Sequence, residues 1–183
     1  MTAYPSETTA RWLKHYYAVR ALFSVLWVVL AFTLGRSQPA LAVLLIVAYP
    51  IWDCLANLVD AQRNGGLRAN PTQALNAVVS AIVALAVAVT VGRDFHEVIA
   101  VIGIWAALSG ILQLATALRR WNSASAQWPM ILSGAQSGLA AVHFAMRAAD
   151  PSAMPGVADV APYAAFGALY FAISAGLLAF RQR

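Results

Sequence analysis

The chain reads as an all-α integral membrane protein: six transmembrane helices forming three antiparallel helical hairpins, with both termini on the cytoplasmic side. Three observations predict this: six apolar runs of spanning length, very short breaks between them, and Lys and Arg residues that alternate from break to break. The runs cover residues 17–35, 40–61, 72–92, 98–118, 128–149 and 161–180. At ~1.5 Å rise per residue, each matches the ~30 Å hydrocarbon layer. Hydrophobic residues make up 61% of the 183 residues and charged residues 10%, which leaves a soluble fold almost no polar surface.

In chain order, the first run follows Arg11 and Lys14 and holds Arg20 near its start. Ala40-Leu41-Ala42 behind it has the small residues of a signal cleavage site. The preceding charged region is long, however, and Arg36 interrupts the approach, so a retained first helix is expected. The second run ends in Arg63-Asn64-Gly65-Gly66, residues that tolerate positive φ, and Asn70-Pro71 opens the third with a polar cap before a proline. Gly103 and Gly110 lie in the fourth run, and Ser133, Gln136, Ser137 and His143 in the fifth. The connection over 150–162, with Pro151, Pro155, Gly156 and Pro162, is expected to be an irregular surface loop. Short connections make successive helices antiparallel neighbours in a single domain, 1–183, of three hairpins at about 17–61, 72–118 and 128–180.

Charge sets the orientation. Arg11, Lys14, Arg20, Arg63, Arg68, Arg119, Arg120, Arg181 and Arg183 fall at the two ends and at the second and fourth breaks. The other breaks hold Arg36, Arg93 and Arg147, diluted by Asp94, Glu97, Asp150 and Asp159. The positive-inside rule therefore places both termini in the cytoplasm. Anionic membrane lipid accounts for the net charge of +5 with no nucleic-acid partner required. Trp12, Tyr16, Tyr17, Trp121 and Trp128 belong at the cytoplasmic boundary and Phe95 and Tyr163 at the outer one. Trp27, Trp52 and Trp105 lie deeper, where they fill space or wall a ligand pocket.

Catalytic chemistry finds little footing. Cys54 is the sole cysteine, so neither a disulfide nor a Cys-based metal cluster is expected. His15, His96 and His143 share neither spacing nor depth suited to a metal or haem site. HExxH, GxSxG and Walker-type loops are absent from the sequence. The expectation is a non-enzyme without cofactor or metal.

A weak internal repeat runs through the chain. Ile51-Trp52-Asp53-Cys54-Leu55-Ala56-Asn57, Ile104-Trp105-Ala106-Ala107-Leu108-Ser109-Gly110 and Leu169-Tyr170-Phe171-Ala172-Ile173-Ser174-Ala175 each set an aromatic ahead of an aliphatic and a small or polar pair. An Arg follows each, at Arg63, Arg119 and Arg181. Small residues in these segments allow close helix approach and self-association, so a homo-oligomer is open. With Gly103-Ile104-Trp105-Ala106-Ala107-Leu108-Ser109-Gly110-Ile111-Leu112-Gln113 in the fourth span, the chain resembles the HdeD-like family of bacterial inner-membrane proteins, named from an acid-resistance protein. The resemblance implies a non-catalytic inner-membrane protein of envelope or acid-stress physiology, and it assigns no functional residue.

The sharpest chemistry lies inside the membrane. Asp53, Asn57 and Asp60 share one face of the second helix. A deep carboxylate costs ~2.5 to 3.5 kcal/mol on insertion scales without a partner, so Asp53 should face the bundle interior. Arg20 lies at matching depth on the first helix. Asn76 and Ser80 on the third, Gln113 on the fourth and Gln136 on the fifth can complete a polar centre. Two readings stay open: an Arg20–Asp53 pair that fixes helix register, and a water-reached cavity for a proton, ion or small polar solute of unknown identity.

Overall fold

A computed structural model describes residues 7–119 and 128–180. Arg120, Trp121, Arg181 and Arg183 of the charge and aromatic patterns lie outside the described residues, as do the side chains of Arg119 and Trp128. The described residues form α1 (Glu7–Phe32), α2 (Pro39–Arg63), α3 (Pro71–Thr90), α4 (Phe95–Arg119), α5 (Trp128–Ala149) and α6 (Val157–Phe180), with no strand among them. Five of the helices, α1 to α4 and α6, are long and apolar enough to cross a membrane. The 22-residue α5 has the length but carries Ser133, Gln136, Ser137 and His143 among its apolar residues. Leu22, Ile82, Leu85, Ile104, Ile111 and Leu139 point outward, 61 to 72% exposed, the surface a hydrocarbon solvent requires.

Helix ends depart from the apolar runs for identifiable reasons. α1 begins at Glu7, well before its run, because backbone hydrogen bonding continues through Arg11 and Lys14 whatever their side chains do. Pro39 and Pro71 open α2 and α3 where a missing N–H loses no bond. After α2 the chain turns through Gly65 and Gly66 at φ 95 and 90, in the region only glycine adopts cheaply. Asn70 does not cap α3. That turn brings the carbonyls just beyond α2 within its reach, and its Nδ2 donates to Asn64 O at 2.7 Å and Gly66 O at 2.9 Å. The irregular stretch expected up to Pro162 ends earlier, since α6 starts at Val157 and takes Pro162 within it. Asp159 Oδ2 accepts from the Gly156 N–H at 2.8 Å, the acidic half of a capping box.

Consecutive helices run antiparallel, and α6 closes the ring on α1. Gly35 meets Val157 at one end of that last seam, while Tyr17 stacks on Phe171 toward the other. The closest seams are α4 with α5, α1 with α6 and α2 with α3, whereas α1 with α2 and α5 with α6 touch sparsely. Packing therefore concentrates between the expected hairpins at 17–61, 72–118 and 128–180 more than within them. Glycine explains one close seam: a Cβ on Gly110 would lie 2.8 Å from the Gly134 carbonyl oxygen, so the α4 and α5 backbones touch. Between α1 and α2 the bulky Phe23–Trp52 stack, with centroids 4.3 Å apart, intervenes.

The bundle has two unlike halves. Away from the chain termini it is solid and apolar: Trp27, Ile46, Val87, Ile99, Ile102, Phe144 and Val160 are at most 2% exposed within one cluster. Trp27 satisfies its indole by donating to Leu45 O at 2.7 Å. Polar ties cross the loops at that end. His96 places Nδ1 2.9 Å from Asp94 Oδ1 and Nε2 3.2 Å from Asp150 O, and Arg147 Nε donates to Asp159 Oδ1 at 3.0 Å. The backbone N–H and ring of His96 hold the Asp94 carboxyl below its ordinary range. The hydroxyl and N–H of Ser152 do the same for Asp150.

Candidate functional site

The half nearer the termini is hollow. A cavity of about 210 Å³, room for roughly seven waters at ~30 Å³ each, lies at the centre of the ring and is walled by all six helices. α1 contributes Arg20 and Ser24, α2 Tyr49, Trp52, Asp53 and Asn57, and α3 Asn76. α4 adds Trp105, Ser109 and Gln113, α5 adds Ser133, Gln136 and Ser137, and α6 adds Tyr163, Gly167, Tyr170 and Phe171.

Arg20 and Asp53 form the ionic centre, bonded through Nη2 and Oδ1. Their side chains are 13% and 21% exposed, too little for water to solvate either charge alone. Arg20 lies near the middle of α1 and Asp53 near the middle of α2, which sets them at matching depth. Nη1 of Arg20 donates to Tyr16 Oη at 3.0 Å, and the guanidinium lies over the Phe171 ring with Cζ 4.2 Å from its centroid. Phe171 thus supplies an aromatic face to the cation. Nε has no partner.

Asp53 is the better satisfied member. Its Oδ2 accepts from Ser80 Oγ at 2.8 Å and from Asn57 Nδ2 at 3.0 Å, while Oδ1 faces Arg20. Ser80 in turn accepts from Trp105 Nε1 at 3.2 Å. The network therefore ties α1, α2, α3 and α4 together through one carboxylate.

Of the residues singled out in the sequence, Arg20, Asp53, Asn57, Asn76, Gln113 and Gln136 reach the cavity wall. Ser80 stands behind the wall as a partner of Asp53. Asp60 is not part of the centre. It sits nearly two turns further along α2, with Asn64 Nδ2 donating to its Oδ1 at 2.8 Å and Gln73 Nε2 to its Oδ2 at 3.3 Å. There it serves the α2–α3 connection.

The aromatic share of the site was largely missed. Tyr163, Gly167 and Tyr170 fall at i, i+4 and i+7 on α6 and so share one face, a signal present in the sequence. Tyr163 had been expected at the outer boundary. It lies inside because its hydroxyl finds Ser109 and Ser137 beside it, while its ring meets Trp105 edge-on at 6.4 Å. Trp52, Trp105 and Tyr170 occupy the same place in the three repeated segments, and all three wall the cavity. Three buried polar atoms of wall residues lack a partner: Arg20 Nε, Trp52 Nε1 and Gln113 Oε1.

No family model matches the chain, and neither a curated protein nor a solved structure matches it.

Proposed function

We propose that the protein is a six-span bacterial inner-membrane protein, N-in and C-in, that binds a small polar solute in the central cavity from the cytoplasmic side. The observation that carries this reading is the split bundle: a polar hollow bounded by all six helices in one half, against a solid apolar plug in the other. A spanning bundle designed only to hold together gains nothing from a hollow polar middle, since unpaired polar groups in such a place cost free energy. The plug supplies the closed gate that any translocation would have to open. Pro50 of α2, one residue from the cavity residue Tyr49, removes a helix hydrogen bond at the junction of the halves and gives α2 a point to bend.

The HdeD-like resemblance supplies the setting, an envelope or acid-stress role without catalysis. The internal repeat draws support from Trp52, Trp105 and Tyr170, which hold one place in its three segments and all wall one cavity.

Thiol accessibility tests the reading. In a Cys54→Ala background in sealed inner-membrane vesicles, Ser109→Cys should react with a small membrane-impermeant thiol reagent from the cytoplasmic face alone. Ile102→Cys, in the plug, should react from neither. Equal protection of both positions would sink the cavity reading, and labelling of Ser109→Cys from the opposite face would invert the orientation.

A further inference from the structure

At the plug end of the bundle, hydrogen bonding fixes the charge of one side chain. His96, the second residue of α4 and ahead of the fourth apolar run, has Nδ1 2.9 Å from Asp94 Oδ1 and Nε2 3.2 Å from the Asp150 carbonyl oxygen. A carbonyl only accepts, and so does an ionised carboxylate. Asp94 is ionised: its Oδ1 also accepts the His96 backbone N–H at 2.9 Å, and that N–H and the ring hold its carboxyl below the ordinary range. Both ring nitrogens therefore have to donate, which only the imidazolium can do. The other charges at this end are engaged elsewhere or stand aside. Asp150 turns its carboxylate to the Ser152 hydroxyl and N–H, at 2.6 and 2.9 Å, and Arg147 Nε is taken up by Asp159. Arg36, Arg93 and Glu97 make no bond to the ring.

We infer that His96 is a proton-operated clasp: charged, it ties the start of α4 to the α5–α6 connection, and on losing its proton it releases the Asp150 carbonyl. This clasp goes beyond the solute-binding reading and does not depend on it. The two acceptors decide which bond is lost. Neutral His96 keeps one N–H, and the Asp94 carboxylate holds it on Nδ1 more strongly than a backbone carbonyl holds one on Nε2. The bare Nε2 lone pair then faces the lone pairs of the Asp150 oxygen, and attraction becomes repulsion. That oxygen still accepts the Ala153 N–H at 3.1 Å, so the connection keeps its own turn and parts from α4. Among the described residues, the hydrogen bonding that joins residues 150–156 to α4 is that of His96. The same connection runs into Val157, 2% exposed within the plug cluster, so release acts on the edge of the plug. Since the fold favours the charged ring, the tie is complete below the ordinary histidine value of ~6.5 and is lost as pH rises through the folded one.

Nitrogen NMR of the full chain in lipid nanodiscs, labelled at histidine and carrying His15→Gln and His143→Gln, reads the His96 ring alone. Both ring nitrogens should be protonated at about pH 6, with a titration midpoint above the ordinary ~6.5. Asp94→Asn should lower the proton affinity by about three- to tenfold. A nitroxide at Met154→Cys, a position 90% exposed, in a Cys54→Ala background, should gain mobility through the same midpoint. With His96→Phe the label should be mobile and insensitive to pH between about 6 and 9. A midpoint at or below ~6.5, or one that Asp94→Asn leaves in place, overturns the charge assignment and the clasp with it. A label whose mobility stays constant while His96 titrates overturns the release. The titration with Asp94 and His96 both in place decides the charge even if Asp94→Asn or His96→Phe fails to fold.

Discussion

The two halves of the bundle use the same six helices for opposite ends. In the plug, Ile99, Ile102, Val87 and Val160 have no exposure at all, and interdigitated side chains leave no space for a ligand. A few turns along the same helices, Ser109, Gln113, Asn76 and Gln136 face a void. A membrane bundle cannot rely on the hydrophobic effect between helices, so packing and hydrogen bonds must hold it. The plug supplies the packing, and the hydrogen bonds converge on Asp53. Tight packing and the polar hollow are thus separated along the bundle, and substitutions in the two regions should report differently.

The largest effect is expected where a charge loses its partner. Asp53→Leu strands Arg20 and should destabilise the bundle by about 3 kcal/mol, as breaking buried pairs does. The paired change Arg20→Met with Asp53→Leu should recover most of that loss, measured by unfolding in mixed micelles. A double variant no more stable than the single one would show that the centre acts through Ser80 and Asn57 alone. Next comes the plug, where Ile102→Ala should cost about 2 kcal/mol or more by lost contacts and a new void. Gly110→Ala, forcing the α4 and α5 backbones apart, should cost about 1 to 3 kcal/mol. Against these, Ser109→Ala at the cavity wall should shift thermal stability very little. A loss at Ser109 equal to that at Ile102 would erase the distinction between the halves.

The smallest effect lies in the loops beyond the plug. Asp94 and Asp150 are held below the ordinary carboxylate range by His96 and Ser152. A lowered folded-state pKa means that their stabilisation is complete above the unfolded value of ~3.9 and is lost as pH falls through the lowered one. Protection of the His96 and Ser152 amides, corrected for intrinsic exchange, should therefore fall only below about pH 4. Loss of protection between pH 5 and 7 would assign control to another group.

Composition and hydropathy exposed the helical spans because lipid imposes a one-dimensional rule on chain length and polarity. The same rule made Asp53 conspicuous and named Arg20 as its partner from depth alone. It said nothing about which helices touch. Ring closure of α1 on α6 and the Gly110–Gly134 approach depend on the angular positions of small residues, which biased membrane composition obscures. Helical spacing puts Asp60 on the Asp53 face but about two turns nearer the cytoplasmic end, and there Asn64 and Gln73 take it up. Tyr163 departs from its expected place. Aromatic residues near a span end suit the interface, and only the neighbouring Ser109 and Ser137 hydroxyls explain why this one turned inward.

The closure of the ring also bears on how the protein is made. Among the described helices, α1, the first in order, has its closest seam with α6, the sixth. Arg20 therefore has its Phe171 face only once α6 is in place. Asp53 lies on the very next helix, so the ion pair can form as soon as α2 stands beside α1. Seen this way, the charge pair at the centre of the finished cavity is first a tether for an incomplete chain.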